Sequence, residues 1–422
     1  MELNAEQRQA LELMKSGQNV FLRGDAGTGK TVVINRFIDS DPDRIVSLAP
    51  TGLAASNLKH GGMTIHRFLG ALSQDWLQNP EKVREYLHSL RGLIIEEISM
   101  VRSDLFCRLD HDLRIYTGRD QPFGGIPLVV VGDFYQLPPV VKSKPEKEFL
   151  ERNMNGIFAF NAPAWKSAEF RNAELKTPHR QTDQEFLNLL RTVRTGADGL
   201  EELLRRLDSQ VRRRQPPPLS RSLCCYRKQA DTINTAHVDR LLTPGGHYTG
   251  KCSGCYPESE WPAPVHLNVK SGMLALLSAN DPEGRYANGD VGEVLACWDN
   301  SIWIRLLRGP EIAVYRHTWF NYDYRIVIQP DGSLKLDSRI IGCFTQFPVL
   351  PAYAMTIHKA QGQTLNQVHL ELGGRPCFAS GQLYTALSRV RNLEDLTLNR
   401  SLQVADVVVD GQVQRFYERL ED

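Results

Sequence analysis

The chain has 422 residues, 41% of them hydrophobic and 23% charged, which is too long for one ordinary core, since single cores stop growing near roughly 250–300 residues. Fifty Lys and Arg against 49 Asp and Glu leave a net charge of +1, so overall charge argues neither for nor against a polyanionic partner. The longest apolar runs, such as Leu128-Val129-Val130-Val131, fall far short of the ~18 residues a membrane span needs.

From the N-terminus, Met1-Glu2-Leu3-Asn4-Ala5-Glu6-Gln7 carries acids and no apolar segment, which excludes a signal peptide. Eight cysteines without framework spacing point to a reduced compartment, and the cytosol is expected. The first third then alternates apolar runs at 19–22, 45–49, 92–95 and 128–131 with helical patterns at 6–15, 31–38, 53–59 and 103–117. Such alternation predicts a parallel sheet covered on both faces, and continuous rather than alternating apolar strands fit that burial. Between Arg191 and Lys228 ten basic residues face four acidic ones, a local excess of six. That run reads as a solvated helix face followed by a loop or as part of a polyanion track. Gln215-Pro216-Pro217-Pro218 breaks the pattern as a spacer. From 261 to 340 short strand-like segments separated by turns such as Asn288-Gly289 predict a small antiparallel barrel, and α/β texture returns from 352 to 420. Cys252-Ser253-Gly254-Cys255, near His247 and His266, reads as a loop pair, because one C-x-x-C is weak evidence for zinc.

The chemistry begins at Gly24-Asp25-Ala26-Gly27-Thr28-Gly29-Lys30-Thr31, which satisfies G-x-x-x-x-G-K-[ST] between an expected strand and an expected helix. Its glycines let backbone N–H groups face phosphates, Lys30 reaches the β- and γ-phosphates, and the Thr31 hydroxyl suits Mg2+. An acid at the end of a neighbouring strand should hold the metal. Leu93-Ile94-Ile95-Glu96-Glu97 offers Glu96 for that task and Glu97 as general base. Gly132-Asp133-Phe134-Tyr135-Gln136-Leu137-Pro138-Pro139-Val140 follows another apolar strand, so Gln136 should stand at the same sheet edge and sense the γ-phosphate.

These residues carry a resemblance. The chain resembles a superfamily-one, type B DNA helicase of the petite-integration-frequency (PIF) family. Gln7 resembles the adenine-reading Q motif, Leu48-Ala49-Pro50-Thr51-Gly52 motif Ia, and Gly62-Met63-Thr64-Ile65-His66-Arg67-Phe68 motif Ib. Further along, His179-Arg180-Gln181 looks like motif IV, Thr356-Ile357-His358-Lys359-Ala360-Gln361-Gly362 like motif V, and Tyr384-Thr385-Ala386-Leu387-Ser388-Arg389 like motif VI. The segment from Asp104 through Pro122-Phe123-Gly124-Gly125-Ile126 to Val140 is similar to the family's own signature. One position departs: the family usually has Asp-Glu where this chain has Glu96-Glu97, which puts the hydrolysis rate in question.

The resemblance implies an α/β fold: two RecA-like parallel-sheet domains and an SH3-like β-barrel inserted in the second. Expected bounds are 1–171 for the first domain, with a short wedge-like insertion near 69–91, then 172–260 with 341–422 for the second, and 261–340 for the barrel. It implies a nucleotide site of Gln7, Gly24, Asp25, Ala26, Gly27, Thr28, Gly29, Lys30, Thr31 and Gly362 for ATP, with Thr31 and Glu96 on Mg2+. Arg180 and Arg389 look like arginine fingers. Pro50, Thr51, His66, Phe68, His358 and Lys359 are the implied contacts to single-stranded DNA, with Tyr135 and Trp319 either stacking bases or buried. The implied activity is ATP-dependent DNA unwinding with 5′-to-3′ polarity, acting at single- and double-strand junctions. A bare cytoplasmic motor of bacterial or phage origin, monomeric when unbound, is expected. The alternative is a nucleotide-regulated single-strand-binding protein that hydrolyses weakly because of Glu96.

Overall fold

A computed structural model of the protein describes residues 2–56, 58, 62–181, 183–213, 220–307, 309–365 and 367–421. The proline run 215–218, Arg214 and Lys59 lie outside the described residues. The first sheet contains β1 (Val20–Gly24), β2 (Ile45–Ala49), β3 (Met63–Thr64), β4 (Gly92–Ile95), β5 (Leu128–Gly132) and β6 (Arg171–Leu175). All pairings are parallel, in the order β3-β2-β4-β5-β1-β6. Every residue of β1, β4 and β5 is buried, which is why these strands read as unbroken apolar runs. Strand β6 pairs with β1 along its whole length, so the first sheet passes the expected boundary at 171.

Helix Ala5–Lys15 begins with a capping box. The Asn4 side chain accepts the Gln7 N–H at 2.8 Å, and the Gln7 side chain accepts the Asn4 N–H at 3.1 Å. The cap therefore fixes the direction of the Gln7 amide. Helix Lys30–Ile38 follows the phosphate loop, and helices Ile65–Gln78 and Pro80–Ser89 cover the expected wedge.

The second parallel sheet runs Ala354–Thr356, Arg221–Cys224, Val368–Glu371, Leu396–Leu398, Arg212–Arg213. Between its halves the chain builds antiparallel sheets from Gly245 to Pro351, wider than the expected 261–340. Val294, Ile304, Val314 and Phe347 fill a separate core there. A long hairpin of His317–Ile328 and Leu334–Gln346 reaches back to the first domain. Arg67 donates to Asn321 at 3.0 Å and pairs with Glu260 at 2.7 Å, while Asp75 accepts the Ile326 N–H. The protein is thus an α/β fold of two parallel-sheet domains with an antiparallel insertion in the second. No helix among the described residues is long and apolar enough to cross a membrane.

The last helix, Gly411–Glu421, returns to the first domain. Phe416 stacks on Phe160 at 4.3 Å, and both surround the buried Phe134 along with Phe21 and Trp165. Phe134 is 1% exposed, so Phe134→Ala should cost about 3–5 kcal/mol, the usual range for emptying such a site. Scanning calorimetry should show the loss in the transition of the first domain, and a change under 1 kcal/mol on the scale of surface substitutions would contradict this packing.

A candidate nucleotide and nucleic-acid site

The phosphate loop turns through two left-handed glycines, Gly27 (φ +86°) and Gly29 (φ +85°). At Gly27 the missing side chain has a second use. A Cβ there would stand 2.6 Å from the Arg180 Cβ, so only glycine lets the segment between the two sheets lie against the loop. The Lys30 ammonium folds onto the loop, donating to the Gly24 carbonyl at 2.7 Å and the Asp25 carbonyl at 3.0 Å. Burial pulls its pKa down, against the attraction of Asp133, Glu97 and Asp25. Thr28 is buried and donates to the Asp25 carbonyl at 2.9 Å.

A cleft of about 410 Å³ opens above the loop. Among the residues named from sequence, Ala26, Gly27, Gly29, Lys30, Thr31, Glu96, Glu97, Gln136, Arg180, Gly362 and Arg389 line it. Gly24, Asp25, Thr28 and Gln7 stand behind this lining, with the Gln7 Nε2 3.5 Å from the Thr28 carbonyl. Burial, with Glu97 adding to it, pushes the Glu96 carboxyl up to about 7 against the pull of Lys30. A cation beside it would restore its charged form. Glu96 and the Thr31 hydroxyl are hard oxygen donors, which fits Mg2+, an ion that keeps several waters and takes few protein ligands.

Three guanidinium groups, those of Arg180, Arg389 and Arg391, line the cleft without an ion-pair partner among the described residues, with Glu97 acting on the first two through space. Arg180 donates to the Ser388 carbonyl at 3.0 Å. Arg389, 2% exposed, donates to the Thr385 and Gln363 carbonyls at 2.8 and 3.2 Å and to the Ser388 hydroxyl at 2.7 Å. Burial, reinforced by Arg180, lowers the Arg389 pKa to about 10. A polyphosphate is the anion this arrangement suits.

Several residues of the cleft were not singled out by sequence. His179, Thr364 and Arg391 line it, and Gln361 donates its Nε2 to the Glu97 carboxylate at 2.9 Å. Glu97 itself has a left-handed backbone (φ +51°, ψ +47°). For Arg391 a signal was available: it stands two residues past Arg389 in Arg389-Val390-Arg391. Gln361 sits inside the motif V segment and had no local mark of a long-range role.

The presumed DNA contacts divide. Thr64 and Thr356 end short strands with nearly identical backbones (φ −76°, ψ 150° and φ −76°, ψ 149°), and each caps a helix, accepting the N–H of Arg67 at 3.2 Å and of Lys359 at 3.3 Å. Each is followed by a fully buried isoleucine and then a histidine. His66 and Lys359 are exposed and His358 is half-buried, as are Pro50 and Thr51. The Thr51 hydroxyl accepts the Ala54 N–H at 3.2 Å. Phe68 is a correction: it is 0% exposed and belongs to the core stripe Ile65, Phe68, Leu69, Leu72, the i, i+3, i+4, i+7 face of its helix. Tyr135 is also buried, stacked on Tyr417 at 4.8 Å, while Trp319 is half-buried with its ring parallel to Phe344. Cys252 and Cys255 are exposed, and no group of three or more His, Cys, Asp or Glu side chains is arranged for a metal among the described residues.

Comparison with known proteins adds the following. The profile of the PIF1-like helicase family matches residues 2–201. The ATP-dependent DNA helicase Pif1 of Bdellovibrio bacteriovorus is 30% identical over all of this chain and 93% of its own length. The PIF1 helicases of Xenopus laevis and Homo sapiens are 30% and 32% identical, but the chain spans only 65% and 64% of their lengths. A Bacteroides Pif1 in complex with ADP-AlF4 superposes with a TM-score of 0.84 at 31% identity, covering 100% of this chain and 97% of that one. A Bacteroides Pif1 bound to single-stranded DNA superposes with a TM-score of 0.73 at 34% identity and the same coverage.

The cleft generates one expectation independent of turnover. Magnesium-ADP at 100 times its dissociation constant should stabilise the protein by about 2.7 kcal/mol. Calorimetry should show the shift in wild type and its loss in Lys30→Ala; an equal shift in both would remove Lys30 from the phosphate site.

Proposed function

The chain belongs to the PIF1-like helicase family, and from that membership we propose that it is an ATP-dependent DNA helicase. It moves on single-stranded DNA, 5′ to 3′ as the family resemblance implies, and opens duplex at single- and double-strand junctions. The observation that carries this reading is the pair of arginines, half-buried Arg180 and buried Arg389, that line the cleft above the phosphate loop with no ion-pair partner among the described residues.

In this reading Lys30 and the loop amides hold the phosphates of ATP, while Thr31 and Glu96 hold Mg2+. The ion neutralises phosphate charge when bound. Glu97 takes the proton of the attacking water. The Gln361 amide on one carboxylate oxygen holds that side chain in place and leaves the other oxygen to accept the proton. Gln136 faces the γ-phosphate, and Arg180 and Arg389 stabilise the charge that builds on it. Loss of that phosphate leaves the two arginines repelling one another, so the domains separate. The DNA track is formed by the matching Thr-Ile-His corners at 64–66 and 356–358 with Pro50, Thr51 and Lys359, where helix N-termini and a cation meet phosphates. We also infer a monomer before DNA is met. The bacterial relatives matched over nearly their whole length support a bacterial setting, and there the cytoplasm is where ATP and DNA occur together.

A second reading, single-strand binding with weak hydrolysis, is favoured by one observation, the uncharged tendency of Glu96. DNA-stimulated ATPase and strand-displacement assays on 5′-tailed duplex separate the two. Glu97→Gln should lower turnover by roughly 10²–10⁴-fold, the share of a general base, with magnesium-ADP binding retained. A wild type that gains nothing from single-stranded DNA would leave only the second reading.

The track has its own test. Lys359→Ala should flatten the plot of log affinity against log salt by about 0.7, one phosphate contact on a single strand. An unchanged slope would take Lys359 off the track.

A further inference from the structure

Beside the phosphate loop, directly after Gly132 of the cleft lining, a single carboxylate gathers an unusual number of donors. Asp133, 1% exposed, receives the Arg194 guanidinium twice, Nε to Oδ2 at 3.1 Å and Nη2 to Oδ1 at 3.0 Å. The Tyr384 hydroxyl reaches Oδ2 at 3.1 Å, the Tyr417 hydroxyl lies 3.3 Å from Oδ1, and the Tyr135 N–H donates at 3.1 Å. Burial alone would raise this carboxyl, but Arg194 overrides it and holds the pKa below the ordinary value. Three of the donors come from beyond the first sheet: Arg194 from helix Gln184–Thr195, Tyr384 from helix Gln382–Leu387, and Tyr417 from the last helix.

A purely architectural ion pair would need only Asp133 and Arg194. The second bond of Tyr384 points further. Its hydroxyl has one proton, which goes to Asp133, a carboxylate that can only accept; its free lone pair then accepts the Ala26 N–H at 3.1 Å. Ala26 lines the cleft. Arg194 holds the same loop from the other side through Asp25 at 3.2 Å. Arg389 follows two residues after the helix that carries Tyr384, and the Gln136 N–H closes a turn on the Asp133 carbonyl at 3.0 Å.

Resting on the helicase reading above, we propose that Arg194 and Tyr384 are positioning residues for ATP hydrolysis. They act through Asp133, fixing the phosphate loop at Ala26 and holding the arm that bears Arg389 in register with it. Arg194 orients Asp133, Asp133 orients the Tyr384 hydroxyl, and that hydroxyl sets the loop. None of the three residues is in the cleft lining. Their loss acts on the rate at which a correctly bound nucleotide reacts, more than on its binding.

The test uses the full chain and three variants: Tyr384→Phe, Arg194→Gln, and Arg194→Gln combined with Asp133→Asn. Tyr384→Phe removes one oxygen and leaves the Asp133–Arg194 pair to hold the fold. Hydrogen exchange of the amides at 24–31 should quicken by about tenfold in Tyr384→Phe, the equivalent of one buried hydrogen bond. DNA-stimulated kcat should fall by about as much while KM for ATP stays within roughly threefold, the mark of an interaction expressed in the transition state. Arg194→Gln should be worse, because it strands a buried carboxylate. The added Asp133→Asn should restore much of the loss, since an amide can still accept the tyrosine proton. Wild-type loop exchange in Tyr384→Phe, or a double variant no better than Arg194→Gln, would overturn the proposal. A wild type without ATPase activity would overturn the helicase reading instead, and the exchange measurement would still decide whether this network sets the loop.

Discussion

Two guanidinium groups in one cleft, answered by Glu97 through space and by no ion pair among the described residues, are the constraint around which the molecule is arranged. A buried guanidinium ordinarily finds a partner, because leaving charge in low dielectric without one is costly. Arg180 and Arg389 bond only to carbonyl and hydroxyl oxygens, and Glu97 answers their charge from a distance. An anion from outside would complete the balance. Because Arg389 follows helix Gln382–Leu387 of the second domain and Lys30 opens the helix after β1 in the first, an anion bound here would touch both domains at once. In the proposed mechanism its charge and size bear on how closely they approach, and chemistry at one phosphate would become force between two bodies.

The same economy of parts appears along the proposed DNA track. Thr64-Ile65-His66 and Thr356-Ile357-His358 adopt one local structure in two domains: a strand ends, a threonine caps, an isoleucine anchors and a histidine turns outward. Under the proposed reading, two like contacts on different domains suit a translocating protein, since the distance between them could change while each keeps its geometry. The antiparallel hairpin ties this track to the insertion, for Arg67, the residue after His66, bonds with Asn321 and Glu260.

How much of this could be read in the sequence depends on the range of the interaction. The strands β1, β4 and β5 were legible because burial on both faces leaves an unbroken apolar run, and the phosphate loop because its glycines, lysine and threonine are contiguous. Strand β6 was not, since its five residues read exposed, exposed, buried, exposed, buried at a sheet edge. Phe68 was misjudged because a motif was allowed to outweigh periodicity: Ile65, Leu69 and Leu72 already marked its face as core. Gln361, Asp133, Arg194 and Tyr384 were beyond reach for a different reason. The sequence separations involved, 264 residues for Gln361 with Glu97 and 251 for Tyr384 with Asp133, leave no local pattern to find.

In the proposed mechanism those long-range contacts make both domains necessary for the chemistry. The first supplies the loop, the acids and Gln136, yet Glu97 is steadied by Gln361, the loop amide of Ala26 by Tyr384, and Asp133 by Arg194. Each comes from the chain beyond β6. The first domain by itself would retain a phosphate cradle with an untethered base, and Asp133 would be buried without its cation. In the proposed mechanism, placing these partners beyond β6 would make hydrolysis conditional on both domains meeting at the cleft. Closure in turn can be conditional on what lies along the track, because helix 357–360, which carries His358 and Lys359, leads directly into Gln361. A shift of that helix of even a fraction of an ångström alters the hydrogen bond on Glu97, and a bond of 2.9 Å tolerates little such change before it weakens. In the proposed mechanism the grip on the strand and the hold on the base are therefore parts of one short segment, a route by which DNA would set the rate of ATP hydrolysis.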